Sequence, residues 1–274
     1  MRTRDLSTRL IVLLATLVLT GVYVLPIYVM VVTSLKTPVE ISQRAYLIPT
    51  RNLQFQNYVE AFRLVYPSLI NSSIISFTVT LLAAFFGGLG GYYLSRSRST
   101  LVRVLFILVG VALYLPYQVI LIPLVQFMAK TRLALTHAGL IVSYLILNVP
   151  LASVLMGTFF LSIPRELEEA AQVDGANRLQ LFFRVVSPIS LPAYASTAII
   201  VFTQVWNEFL LALTLSTPNT TTIQVKLAEV KGSFVALYNI QMASALIGVL
   251  IPLSFFLFLG RYFIRGVLAG ALKG

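Results

Sequence analysis

Protein chemistry needs nucleophiles, bases, metal ligands or phosphate cradles, and this sequence carries few of them. It has no cysteine, one histidine (His137) and nine acidic residues among 274 positions. Without cysteine there are no disulfides, thiolate metal sites or thiol nucleophiles. One histidine leaves little material for a histidine metal cluster or a Ser-His-Asp triad, and His137 itself reads as structural. No G-x-x-x-x-G-K-[ST] phosphate loop is present. Gly87-Gly-Leu-Gly-Gly91 is glycine-rich but lacks the lysine and sits in an apolar run, where small residues let helices pack closely. The sequence therefore assigns no catalytic, cofactor or metal residue.

The acidic residues are unevenly placed. Four of them, Glu166, Glu168, Glu169 and Asp174, fall in the segment 163–188, and a fifth, Glu208, stands in an otherwise apolar stretch. The segment 163–188 reads as two short helices with a turn. Pro164 suits a first helical position, where its missing N–H costs nothing. The glutamates after it complement the positive end of the helix dipole. Gly175 suits the left-handed residue that ends a helix. Asn177 and Gln180 have the spacing of a capping box for a second helix, whose apolar face would be Leu179, Phe182, Phe183 and Val186. Such a hairpin could bind DNA, lie at a membrane interface, dock a cytoplasmic partner or simply be a capped loop. Acidic residues oppose DNA and anionic headgroups, while Ala170, Ala171, Gly175 and Ala176 allow another protein to approach closely, so docking is the better physical reading.

The elements that carry these residues follow from the charges that are missing. Hydrophobic residues make up 58% of the chain and charged residues 11%, against about 25% charged in a soluble domain. Five stretches free of Asp, Glu, Lys and Arg each run roughly 26 to 32 residues, and a sixth is broken only by Glu208. About 20 apolar residues suffice to cross the hydrocarbon core as a helix, and lipid forces every backbone polar group to be satisfied internally. The expected fold is all-α and integral to the membrane, a single transmembrane domain over 1–274 with six transmembrane helices at about 10–35, 67–95, 104–128, 138–161, 189–215 and 239–261. The first run is too long for a signal-peptide core and has no small-x-small cleavage site, so it is expected to remain as a helix. Arg96, Arg98 and Arg103, crowded between the second and third spans, give the strongest topology signal. Lys and Arg favour the cytoplasmic side, which puts both termini and the hairpin between helices 4 and 5 inside. The formal charge of +11 is then mostly a topology signal and calls for no nucleic acid.

Glu169-Ala170-Ala171, then Gly175, then Val185 and Pro188 resemble the EAA loop of type I ABC importer permeases; Ser187 stands where that pattern usually has Leu. The likeness extends through Leu135–Ile141, Phe159–Gly175, Trp206-Asn207-Glu208-Phe209 and the tail Gly266–Gly274. It points to the carbohydrate-uptake subclass and, within it, to the G-type permease of maltose-type importers. The resemblance implies a coupling helix that seats in an ATPase cleft, with Glu169, Ala170, Ala171, Asp174, Gly175, Ala176 and Pro188 in that contact. It implies a tail, including Lys273 and Gly274, that reaches the ATPase. It also implies a second, F-type permease, two ATPase subunits holding ATP and Mg, an extracytoplasmic sugar-binding protein, and a prokaryotic inner-membrane location. Alternatives within reach are an importer of a non-sugar solute and an ion-coupled secondary transporter. The latter would be expected to show paired intramembrane carboxylates.

An ionisable residue inside a span is a functional candidate by default. Trp206, Asn207 and Glu208 offer the aromatic face, amide and carboxylate that a sugar path uses. Glu208 alternatively ties a hydrogen-bond network between helices or sits near the outer interface. Asn71, Gln118, Asn148 and Gln241 are further polar candidates, more often glue between helices than solute contacts.

Overall fold

A computed structural model describes the backbone of residues 2–43, 46–231 and 237–271, and the side chains of 8–43, 46–230 and 237–260. Among the described residues the chain is helical, with no strand. Contacts divide it into two units, Met1–Tyr66 with Lys226–Val249 and Pro67–Val225 with Leu250–Gly274.

In the first unit, α1 (Arg2–Ser34) contains a segment long and apolar enough to cross a membrane, Thr8–Ser34, of 27 residues. Its side chains from Thr8 to Tyr28 are all exposed. Its C-terminal end is held by side-chain hydrogen bonds. Asn57 Nδ2 donates to the carbonyls of Ser34 (2.8 Å) and Lys36 (3.0 Å), and Asn239 Nδ2 donates to Asn57 Oδ1 at 3.0 Å. This satisfies carbonyls that a helix terminus leaves unpaired. α2 (Pro38–Ser42) starts with a capping box between Thr37 and Glu40. Thr50 donates to the same Glu40 carboxylate at 2.6 Å. That hydrogen bond, with the Thr37 N–H, holds the Glu40 carboxyl below its ordinary pKa.

The second unit is built around α6 (His137–Leu161) and α10 (Leu191–Asn207). They meet the later turns of α3 (Gln56–Arg96) in a core of Ile75, Val79, Ala83, Leu140, Tyr144, Ala152, Val201 and Val205. The glycines of α3 set how closely it approaches α6. A Cβ at Gly87 would stand 2.4 Å from Ala152 Cβ, and one at Gly91 2.6 Å from the Ser153 carbonyl. The close-packing reading of this run is thus its observed role.

Two of the apolar stretches contain a break in the helix. The third contains α4 (Thr100–Ala112) and α5 (Leu121–Lys130), joined through a 3₁₀ turn at Tyr117–Ile120 and bent by 100°. Pro116 lies at this break, where it lacks an N–H to continue the ladder and disfavours helical geometry at Leu115. In the fifth, α10 ends at Asn207 and Glu208 is extended (φ −70, ψ 130). The chain then resumes as α11 (Leu210–Leu215). By contrast, Pro26, Pro67, Pro150 and Pro252 sit inside unbroken helices. The remaining helices are α7 (Arg165–Val173), α8 (Arg178–Leu181), α9 (Ser187–Ile189), α12 (Ile223–Lys231) and α13 (Tyr238–Ala271). Among the described residues four helices are long and apolar enough to cross a membrane singly, and up to six segments qualify when two bent pairs, Thr100–Ala112 with Tyr117–Lys130 (100°) and Arg178–Ile189 with Leu191–Asn207 (77°), each count as one.

Candidate functional site

The hairpin 163–188 forms as its sequence dictates, with two departures. α7 ends in a Schellman motif. The Ala176 N–H donates to the Ala171 carbonyl (3.0 Å), the Gly175 N–H donates to Gln172 (3.0 Å), and Gly175 has φ +85. The Asn177–Gln180 capping box then starts α8 with reciprocal bonds of 2.9 and 3.0 Å. Pro164, however, is the residue before α7 and not its first helical residue, because its ψ of 135 is extended. The apolar face is also redrawn. A π-helical turn at Phe182–Val186 shifts the register, so Leu181, Phe182 and Val186 are buried while Leu179 and Phe183 are exposed.

The inner face of the hairpin is anchored. Leu181, Phe182 and Val186 pack with Met156, Phe160, Ile163 and Ala193. Glu168, expected to serve the helix dipole, instead turns inward. Its Oε1 accepts from Arg96 Nε at 2.7 Å and its Oε2 from the Tyr92 hydroxyl at 2.8 Å. Arg96 Nη2 also donates to the Ile163 carbonyl at 3.1 Å. This clamp of α7 to the end of α3 was not foreseen, since Arg96 reads in sequence only as a topology charge. What remains outward is Glu169, Ala170, Asp174, Gly175 and Pro188, with Ala171 and Ala176 partly covered. Val173 is 88% exposed at the tip and nothing lies within 4 Å of a Cβ placed on Gly175. The result is a knob anchored from behind, with Val173, Asp174 and Gly175 at its exposed tip.

The second site is a cavity of about 880 Å³ lined by both helix breaks and by α6. Its polar wall includes Tyr114, Tyr117, Gln118, Asn148, Asn207 and Glu208. The three residues expected on a substrate path part company here. Asn207 and Glu208 face the cavity, whereas Trp206 is 2% exposed and stacks on Phe202 with ring centroids 5.6 Å apart. Glu208 Oε1 accepts from the Tyr117 hydroxyl (2.6 Å) and Oε2 from the Tyr144 hydroxyl (2.8 Å). The Leu211 and Ala212 N–H groups donate to the same two oxygens at 2.8 and 3.0 Å, capping α11. Tyr117 and Tyr144 were missed as partners. Their signal was a lone carboxylate in an apolar span, which demands nearby donors. Asn148 Nδ2 donates to the Tyr144 carbonyl at 2.8 Å. Asn71 acts as glue, donating to the carbonyls of Asn219 and Thr221, while its Oδ1 lies 2.9 Å from His137 Nε2. Lys273 and Gly274 of the tail lie outside the described residues.

A helical chain with apolar segments long enough to cross a membrane, a polar cavity at two helix breaks and an anchored, outward hairpin has the make-up of a membrane transport subunit. Residues 86–268 match the family described as binding-protein-dependent transport system inner membrane component, and the chain belongs to it. It is 34% identical over 271 residues to the glucose import system permease protein GlcU of Saccharolobus solfataricus, covering 95% of this chain and 94% of that one. It is 33% identical to the melibiose/raffinose/stachyose import permease protein MelC of Bacillus subtilis, covering 99% of each. The fold matches a chain of a bacterial ABC transporter involved in import of the acidic polysaccharide alginate, with TM-score 0.82 at 22% identity over 95% of this chain and 97% of that one. It also matches the alginate transporter in complex with a pentasaccharide-bound periplasmic protein, with TM-score 0.67 at 19% identity over 94% and 96%.

Proposed function

We propose that this chain is one of two permease subunits of an ATP-driven sugar importer, forming half of the translocation path. The single observation that carries the reading is the outward Glu169–Ala176 knob, held from behind by the Arg96–Glu168 clamp. Family membership and the names of the two sugar permease relatives support it. The partners are a second permease of the F type, two ATPase subunits that hold ATP and Mg, and an extracytoplasmic sugar-binding protein. The chain crosses the inner membrane six times, with both termini cytoplasmic. Closure of the ATPase dimer draws the two hairpins together, and a bistable helix bundle turns that movement into alternating access. Glu169, Ala170, Ala171, Asp174, Gly175, Ala176 and Pro188 form the ATPase contact, joined by the tail at Lys273 and Gly274. Asn207 and Glu208 belong to the path wall, and Trp206 supports it from behind.

The test replaces Gly175 by Asn and by Leu. Asn tolerates the left-handed backbone and Leu does not, yet either side chain projects from the knob. Docking predicts that both variants reach the membrane in normal amounts and lose ATPase stimulation by loaded binding protein. Normal stimulation in both would overturn the assignment. Loss in Leu alone would show a backbone requirement without a contact.

A further inference from the structure

A carboxylate offers about four acceptor positions, and in Glu208 four donors fill them: two tyrosine hydroxyls and two backbone N–H groups. These donors come from three parts of the cavity wall. Tyr117 stands on the turn between α4 and α5, Tyr144 on α6, and Leu211 and Ala212 in the first turn of α11. Among the described residues, Tyr117–Glu208 is the one side-chain hydrogen bond that ties residues 100–130 to the chain beyond residue 131. Glu208 is thus spent on holding the wall together and has no lone pair to offer a solute.

Two amides in the same wall are differently placed. Gln118 and Gln204 line the cavity, are exposed, and have no side-chain hydrogen bond among the described residues. Each presents two donors and an acceptor. The lining contains no Lys, Arg or His, and its one carboxylate is the saturated Glu208. A wall of free amides and tyrosine rings without an available charge suits an uncharged polyhydroxylated solute and gives an anionic sugar no counter-charge.

We infer that Gln118 and Gln204 read a neutral sugar, while Glu208 is a positioning residue that fixes the breaks presenting them. This deepens the proposed function and rests on the cavity's being part of the path. The test is saturation-transfer NMR on the assembled permease–ATPase complex without binding protein, using glucose, melibiose and galacturonate as probes. Gln118→Ala and Gln204→Ala are each expected to weaken glucose and melibiose binding about threefold to tenfold, the range for one lost neutral hydrogen bond. Galacturonate should give no signal that depends on either residue. Glu208→Gln and Tyr117→Phe should each reduce the neutral-sugar signal without changing which sugar protons are saturated. Unchanged neutral-sugar signals in both glutamine variants, or no binding of any probe, would overturn the inference. So would a changed proton pattern in Glu208→Gln but not in Tyr117→Phe, because that would mark direct contact. The path itself is tested separately by uptake in the Gln118→Trp/Gln204→Trp double variant. Full uptake there, with sugar binding still dependent on the amides, would leave the amide assignment standing and remove the cavity from the path.

Discussion

Replacing Glu168 by Ala should loosen α7 from α3 by an amount that can be worked from the clamp. The Arg96 and Glu168 side chains are 14% and 9% exposed and paired at 2.6 Å. After the substitution Arg96 keeps only its 3.1 Å bond to the Ile163 carbonyl, and the Tyr92 hydroxyl loses its acceptor. Breaking a buried ion pair by removing one partner costs about 3–5 kcal/mol. The residual exposure here argues for the lower end, about 3 kcal/mol, and burial makes the term nearly independent of salt. Each 1.36 kcal/mol is tenfold, so local opening of α7 should rise on the order of 100-fold. Hydrogen exchange of the α7 amides, measured on the assembled transporter in nanodiscs, reads this directly. Acceleration below about threefold, or an effect that vanishes at high salt, would refute the reasoning and make the pair a surface contact.

Gly91→Val should lower the amount of folded protein in the membrane, because its Cβ meets the Ser153 carbonyl at 2.6 Å and the Gly157 N at 2.7 Å; overpacking of this kind costs about 1–3 kcal/mol. Gly110→Ala, with nothing within 4 Å of the new Cβ, should leave that amount unchanged, as quantitative blotting of membrane fractions would show. Asn71→Leu removes the donor to the Asn219 and Thr221 carbonyls and the His137 partner; the buried Thr221 carbonyl alone left unsatisfied costs about 1–3 kcal/mol, so thermal melting of the complex should shift down measurably. Glu40 has its carboxyl held below the ordinary 4.5 by Thr50 and the Thr37 N–H. Its stabilisation is therefore present above 4.5 and lost as pH falls through the lowered value. Protection of the Thr37 amide should follow that course in the wild type and lose its pH step in Glu40→Gln; an unaltered profile would remove Glu40 from the turn.

The hairpin was legible because its signals are local. Gly175 and the Asn177–Gln180 box act within a few positions of themselves, and each took its expected geometry. The two breaks were not, because absence of charge measures the length of an apolar run and says nothing about its straightness. Prolines do not decide it either. Pro150 passes inside α6, whereas Pro116 lies at a 100° bend. The break at Glu208 carries neither Gly nor Pro and is held by Glu208, whose tyrosine donors lie 64 and 91 positions away in sequence. The inward turn of Glu168 depends likewise on Arg96, 72 positions distant. Trp206 and Asn207 face differently for a local reason. Successive residues of a helix turn by about 100°, so Asn207 meets the cavity and Trp206 the rings behind it.

The first helix invites a different kind of statement. With every side chain from Leu10 to Tyr28 exposed, its apolar residues answer to the surrounding lipid or neighbouring chains rather than to partners within their own fold. Lipid distinguishes greasy from charged but hardly Leu from Ile. This stretch should therefore tolerate free exchange among aliphatic residues while rejecting charge, and a saturation mutagenesis map would show it as a two-letter code. Over evolutionary time such a segment records the medium it lives in more faithfully than the machine it belongs to.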